Sequence, residues 1–198
     1  VRDELTIEPQ QQPGATWPAK LSFLVNKAAD RLHEAWLEFT VTALTTTGGT
    51  LRRLVDLFGF LCIDHIDYWS NNQVPQTVWP PLEDLYRYYK ENDLVWRQTV
   101  LGPMVGGDLT DAQRSTLATA AQTFRVPLRA WFSETKGHGL VLPSQASQLR
   151  IDIYFKPLAT SDLIQTDGTV PVLTFAAAPT PQMRLKVSHV DQSTRARW

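Results

Sequence analysis

The sequence predicts an all-β protein, an antiparallel sandwich of about eight strands with short helical insertions in its loops. Three observations support this fold class. Many stretches alternate apolar and polar residues with a period of two, which is typical of strands that bury one face. Helical patterns are confined to two short stretches, so the chain lacks the regular strand–helix alternation of an α/β fold. The 7 tryptophans and 13 prolines favour a sandwich with long connections over a helical bundle.

The chain begins with a polar segment. Residues 1–19 include three consecutive glutamines before Pro13-Gly14, and this composition indicates an extended N-terminal arm. The sandwich domain is then expected to cover residues 20–198. Its strands are predicted from the alternation at 20–27, 36–42, 58–69, 74–78, 124–132, 149–155, 170–175 and 183–190.

The alternation differs in quality from one stretch to the next. It is clearest at 149–155, where every odd position is apolar and Arg150, Asp152 and Tyr154 fill the even ones. The polar residues 70–73 separate two strand signals and predict a hairpin. Pro127 lies inside the stretch 124–132 and cannot donate to a hydrogen-bond ladder, which predicts an edge strand or a bulge there.

Two stretches carry helical signals. Pro80-Pro81 suits a first helical turn, and the stripe of Leu82, Leu85, Tyr86 and Tyr89 predicts a helix that continues to about Glu91. The second stretch opens with Thr110-Asp-Ala-Gln113, which has the spacing of a capping box and predicts a helix to about Gln122.

Charge and composition exclude several function classes. The 19 basic and 20 acidic residues give a net charge of −1 without a long run of either sign, so no electrostatic binding of nucleic acid is expected. The single cysteine, Cys62, excludes an internal disulfide framework and a multi-cysteine zinc site. No apolar stretch approaches the roughly 20 residues that span a bilayer, so no membrane insertion is expected.

The segment Asp64-His65-Ile66-Asp67 is the first candidate for chemistry. On a strand, Asp64 and Ile66 face one way while His65 and Asp67 face the other, so at most two of the polar groups converge. No second pair of His, Cys or Glu residues lies nearby, as a zinc site would require. A solvated strand end is the favoured interpretation, and no metal or cofactor site is expected.

Two smaller features are also interpreted as structural. Cys62 stands between Leu61 and Ile63, which favours a buried small hydrophobe over a nucleophile. Gly137-His138-Gly139 lacks the strand, glycine-rich loop and helix that a phosphate-binding loop requires. The sequence therefore predicts no catalytic residue.

A group of aromatic residues allows three interpretations. These residues are Trp69, Trp79, Tyr86, Tyr88, Tyr89 and Trp96. They could form a sugar-stacking platform, anchor a subunit interface, in which Trp and Tyr are enriched, or pack loops and a helix onto the sandwich. For the arm over 1–19, disorder and attachment to a neighbouring subunit both stay open.

Four segments of the chain resemble, in order, the double jelly-roll major capsid proteins of nucleocytoplasmic large DNA viruses. They are Phe23–Leu32, Leu57–Ile66, Pro127–Ser133 with Gly139–Pro143 downstream, and Leu185–Arg195. The most specific is Pro127-Leu-Arg-Ala-Trp-Phe, which is similar to the Leu-Pro-x-Trp-Phe segment of the family. Lys27, Ala29, Ser193 and Thr194 depart from the family pattern. The resemblance covers the first of the two family sandwiches.

The resemblance implies a jelly roll that acts as a structural capsid subunit, without enzymatic activity or cofactor. It also implies homotrimeric, pseudo-hexameric capsomers of an icosahedral virion, which contact other capsid proteins and assemble in the host cytoplasm. Since the second sandwich is absent, the chain is expected to be either a fragment or a single jelly-roll penton, minor capsid or scaffold protein. The rivals from other classes are a carbohydrate-binding β-sandwich and a hydrolase, for which Asp64 and His65 would be the first candidates.

Overall fold

A computed structural model describes twelve ranges of the chain, namely 2–11, 17–27, 29–45, 48–70, 75–79, 88–91, 93–132, 139–143, 147–158, 163–169, 173–177 and 179–189. Eleven strands lie within these ranges: β1 (Arg2–Ile7), β2 (Lys20–Val25), β3 (Arg31–Val41), β4 (Arg52–Leu54), β5 (Ile63–Trp69), β6 (Gln76–Val78), β7 (Gln122–Leu128), β8 (Leu140–Val141), β9 (Leu149–Phe155), β10 (Ile164–Thr166) and β11 (Gln182–Ser188). The helical segments with defined ends are α1 (Phe58–Leu61), α2 (Leu94–Trp96), a π-helical turn (Arg97–Leu101), α3 (Gly102–Val105) and α4 (Asp111–Leu117).

The strands form two large antiparallel sheets and one small one. The first sheet has the order β1-β11-β3-β7, and β8 also pairs with β3. The second sheet has the order β2-β9-β5-β6, and β4 pairs with β10 in a separate ribbon. Each large sheet turns one apolar face towards the other, which is the arrangement of a β-sandwich.

The pairing in the two large sheets is nested. Of the eight strands in these two orders, the first pairs with the last (β1 with β11), and the second with the seventh (β2 with β9). The third pairs with the sixth (β3 with β7), and the fourth with the fifth (β5 with β6). A chain folded back on itself in this way and wrapped into two sheets is a jelly roll. The predicted fold class, an eight-stranded antiparallel sandwich with helical insertions, is therefore confirmed.

The N-terminal segment contributes more than the sequence predicts. Residues 2–7 of the predicted arm form β1, which pairs with β11 over six positions from Arg2↔Ser188 to Ile7↔Met183. Leu5 and Ile7 are half-buried against the core. Because β1 is the first strand of the jelly roll, the boundary at residue 20 cuts through the fold rather than preceding it.

The core lies between the two large sheets and is rich in aromatic rings. Its inward-facing residues include Leu37, Phe39 and Val41 of β3, Val126 and Leu128 of β7, Ile151 and Ile153 of β9, and Met183, Leu185 and Val187 of β11. The ring of Phe39 lies 5.6 Å from Phe124, 6.2 Å from Phe155 and 5.4 Å from Phe175, measured between centroids. Rings from both sheets thus meet at Phe39.

Several local predictions are confirmed. The hairpin forms between β5 and β6. Thr110 and Gln113 make the predicted capping box at the start of α4, which ends at Leu117 rather than near Gln122. Pro127 lies on β7, an edge strand, opposite Trp36 of β3.

Other local predictions are wrong or lie outside the described residues. Residues 58–61 form the short helix α1 rather than strand, because Leu57 adopts a left-handed conformation with φ +58° and turns the chain. Of the strand predicted at 170–175, residues 173–175 are described, and they contribute one isolated bridge between Phe175 and Val41. Most of the predicted helix at 80–91 lies outside the described residues. At its described end Tyr88 is buried and Tyr89 is exposed, the reverse of the predicted stripe.

None of the helices in the described ranges combines the length and apolar character that crossing a membrane requires.

The central position of Phe39 leads to a stability prediction. We expect Phe39→Ala to lower the free energy of unfolding by about 3–5 kcal/mol, because it removes a ring that is 1% exposed and leaves a cavity. The measurement is urea denaturation followed by tryptophan fluorescence. The control, Leu117→Ala at a side chain on α4 that is 38% exposed, should change stability by no more than about 1 kcal/mol. Equal effects of the two substitutions would contradict this account of the core.

Candidate assembly surface

An exposed apolar surface lies on the helical insertion between β6 and β7. Five large side chains contribute to it, namely Tyr89, Leu94, Val95, Trp96 and Val100. Their exposed fractions range from 39% for Trp96 to 71% for Val95. Single exposed apolar residues are ordinary, whereas five within twelve residues make this segment a candidate interaction surface. We call this group the insertion patch.

The insertion is held firmly on its inner side. Leu101 and Val105 are buried in the core, and Gly106 ends α3 with φ +76°. Leu57 donates its backbone N–H to the Gly106 carbonyl at 2.9 Å, which joins the insertion to the start of α1. The insertion patch is therefore presented on a base that is packed into the sandwich.

Polar contacts add to this attachment. Arg97 reaches Asp108 at 3.1 Å and lies over the ring of Tyr88, 5.4 Å from its centroid. Burial, together with the neighbouring Asp108 carboxylate, raises the pKa of Tyr88, so its hydroxyl stays neutral. Packing and charge thus both fix the base on which the insertion patch lies.

The outer face of the first sheet is charged, and acidic side chains lie next to basic ones on neighbouring strands. We call it the charged face; it carries Glu4, Glu34, Glu38, Arg125, Arg184 and Lys186. Lys186 contacts Glu34 at 3.1 Å and Arg184 contacts Glu4 at 3.0 Å, each across neighbouring strands. Opposite charges paired across strands stabilise a sheet and leave little net field to attract a charged ligand.

Glu38 is the most buried member of the charged face. Its carboxylate accepts hydrogen bonds from Gln182 at 2.6 Å, from Arg184 at 3.1 Å and from Arg125. Burial acts to raise the pKa of Glu38, but the hydrogen bonds from Arg184 and Gln182 and the charge of Arg125 outweigh it and hold the pKa below its ordinary value. Glu38 thus ties β3 to both neighbouring strands, β7 and β11.

The polar side chains of the candidate segment 64–67 make separate local contacts. The register shifts between Ile63 and His65, so Asp64 occupies an irregular position from which its carboxylate reaches His65 Nδ1 at 2.7 Å. The sequence predicts that His65 and Asp67 share one face of the strand, but their side chains have different partners. Asp67 instead accepts a hydrogen bond from Thr77 at 2.6 Å, and His65 stacks on Tyr154 with ring centroids 4.2 Å apart.

The other small candidates also have structural surroundings. Cys62 is fully buried, as predicted, and desolvation raises the pKa of its thiol, which suppresses the nucleophilic thiolate. Of the segment 137–139, Gly139 alone is among the described residues. Within the described ranges no three His, Cys, Asp or Glu side chains come close enough to hold a metal ion. The prediction that the chain lacks catalytic residues stays a prediction.

The aromatic group of the sequence separates into distinct environments. Trp69 and Trp79 lie at the second sheet, where the Trp79 ring is 5.0 Å from His65. Tyr88 is buried beneath the insertion, while Tyr89 and Trp96 belong to the insertion patch. Tyr86 lies outside the described residues. A single sugar-stacking platform made of all six is therefore not formed.

The fold and the whole length of the chain match solved viral capsid structures. A capsid model of PBCV-1 matches all of this chain with a TM-score of 0.67 at 18% identity. The Faustovirus major capsid protein matches it with a TM-score of 0.67 at 8% identity, and the STIV MCP with 0.56 at 8%. The chain has the capsid jelly-roll fold. The resemblance of its sequence segments is thereby confirmed at the level of fold, since identities this low show the fold alone.

This capsid jelly roll spans about half the length of the chains that it matches. It covers 44% of the PBCV-1 chain, 56% of the Faustovirus chain and 51% of the STIV chain. No family model and no curated protein sequence matches it.

The buried Glu38 leads to a prediction about acid stability. Because its folded-state pKa is depressed, the stability it contributes is present above the unfolded pKa of about 4.5 and is lost as the pH falls through the folded value. We expect the free energy of unfolding to fall less between about pH 6 and about pH 3 in Glu38→Gln than in the wild type. Denaturant titrations at both pH values measure this difference. Identical pH dependence in the two proteins would contradict the role given to Glu38.

Proposed function

We propose that the chain is a structural subunit of a viral capsid, with no enzymatic activity and no cofactor. The observation that carries this proposal is the jelly-roll match along the whole chain to capsid proteins. A sandwich satisfies its backbone hydrogen bonds within two sheets, so its loops are free to contact neighbouring subunits. The proposed role of the molecule is thus structural, as one subunit of a shell.

We infer that three copies associate into a capsomer and that the insertion patch contributes to the contact. Its exposed tryptophan and tyrosine are residue types that anchor interfaces. A specific contact of usual size buries about 1,600 Å² in total, and repetition of one contact over a closed shell multiplies a modest affinity. The paired charges of the charged face suit an outer surface whose role is structural.

The wider setting follows from the same proposal. The sandwich would be one of two in each subunit, which accords with its spanning about half of the matched chains, and three such subunits would make a pseudo-hexameric capsomer. Assembly would take place in the host cytoplasm, with other capsid proteins as further partners, and the subunit would remain in an icosahedral virion. Neither nucleic acid nor membrane is a proposed partner.

The insertion patch provides the test. We expect the wild-type protein to sediment as a trimer and Val95→Glu to shift it towards monomer, with self-association weakened about tenfold or more, because a charge would be buried at the contact. Sedimentation velocity across a concentration series measures the change.

The matched control is Leu117→Glu, which places the same charge on α4 at a side chain that is 38% exposed and outside the patch. It should leave the trimer intact. A wild type that stays monomeric at all concentrations, or equal loss of association in the two variants, would overturn the proposed contact.

A further inference from the structure

The outer face of the second sheet carries a group of polar side chains around one buried carboxylate. Asp152 lies on β9 between Ser22 of β2 and Asp67 of β5 in the strand register. It is 0% exposed although it belongs to the outward-facing set of its strand. Lys20 Nζ lies 3.1 Å and Arg150 Nε 3.3 Å from the same oxygen, Asp152 Oδ2.

Three buried polar atoms in this group have no hydrogen-bond partner within the described part of the chain. They are the second carboxylate oxygen, Asp152 Oδ1, the indole nitrogen, Trp69 Nε1, and Arg150 Nε, whose contact with Asp152 is an ion pair without hydrogen-bond geometry. Buried polar groups are nearly always paired in folded proteins, and each exception calls for an explanation. Here one acceptor and two donors are left unsatisfied on the same face of one sheet.

Arg150 is fixed in place by two independent contacts. Its guanidinium lies over the ring of Trp69, 4.5 Å from the centroid, and its Nε faces Asp152. The side chain is nevertheless 41% exposed. A guanidinium held on one side in this way offers its outer N–H groups as a preformed fork for a planar or tetrahedral oxyanion.

A polar cleft of about 460 Å³ opens beside this arginine. Its lining consists of Gln10, Gln11, Lys20, Ser22 and Arg150. The segment that follows β1 forms one wall and is held to the edge of β2 by the hydrogen bond from Gln10 N–H to the Ser22 carbonyl at 2.8 Å. The charged residues of the lining, Lys20 and Arg150, are both cationic. Asp152 and Asp67 are buried on the neighbouring strands β9 and β5.

We propose that this cleft binds an acidic saccharide, a sugar that carries a carboxylate or a sulfate. The anionic group would take the Arg150 fork and Lys20, which is 40% exposed. The sugar hydroxyls both donate and accept, so they complement the Gln10 and Gln11 amides and the Ser22 hydroxyl. A cleft that combines two cations with neutral polar groups favours such a ligand over a bare metal ion, which the cations would repel.

The site extends beyond the proposed shell-forming function and does not depend on it. It lies on the second sheet, while the insertion patch lies on the connection between β6 and β7. A capsid subunit with this site would recognise acidic glycans through its surface.

The test is isothermal titration calorimetry of the full chain with a heparin-derived sulfated tetrasaccharide. Cellotetraose serves as the neutral ligand and sodium sulfate as the free anion. We expect saturable binding of the sulfated tetrasaccharide, with affinity that falls at higher salt, and affinity at least about tenfold lower for both other ligands. Equal affinity for free sulfate would show an adventitious anion site only and would overturn the proposal.

Two variants and a control locate the binding. Arg150→Lys keeps the charge but loses the fork and the stacking on Trp69, and should weaken binding about tenfold or more. Ser22→Phe fills the cleft without changing any charge and should abolish binding. Arg125→Lys makes the same exchange on the charged face, at a side chain that is 51% exposed, and should bind like the wild type.

Thermal melts and sedimentation confirm that each variant is folded and associates as the wild type does. Failure of the wild type to bind the sulfated tetrasaccharide would overturn the proposal. So would wild-type affinity in both Arg150→Lys and Ser22→Phe. Loss of trimer formation with saccharide binding retained would count against the proposed capsid function alone, so the two proposals fail separately.

Discussion

The structure depends on burying the inner faces of two sheets against each other. Each strand of these sheets must also pair with a neighbouring strand, and nested pairing meets both requirements. β1 pairs with β11 and β5 pairs with β6, so the outermost and the innermost pairs of the nest both lie within the two layers. The aromatic rings around Phe39 then fill the space between the layers. Loops and insertions are added outside this core and are free to carry function.

Each large sheet has a buried carboxylate on its outward-facing set, and each is held by two cationic side chains. Glu38 on the first sheet is bound by Arg125 and Arg184, and Asp152 on the second sheet lies against Lys20 and Arg150. Both carboxylates lie on strands inside their sheets, where neighbouring side chains cover them from water. Both oxygens of Glu38 accept hydrogen bonds, whereas Asp152 keeps one oxygen unpaired. The two cations that hold Asp152, Lys20 and Arg150, also line the polar cleft of the candidate binding site.

The alternation in the sequence predicted the sandwich because most strands bury one whole face. It failed where burial is partial or where tertiary contacts override the local pattern. β1 has Leu5 and Ile7 as its apolar residues and is half-exposed at an edge, so its composition resembles that of an arm. α1 lies in an apolar run without alternation, where a positive φ at Leu57 sets the direction of the chain. The polar cleft was not predictable either, since alternation assigns Asp152 to solvent and only the strand register places Lys20 and Arg150 over it.

The pairing of β1 with β11 has a consequence for the folding of the chain. Leu5 lies opposite Leu185, so β1 leaves the ribosome long before its partner β11 has been synthesised. Contacts so distant along the chain make folding slow, because a long loop must be closed before the contact stabilises it. During translation β1 has no ladder to join until β11 emerges, and the growing polypeptide exposes unpaired strand edges up to that point. That interval is when aggregation competes with folding.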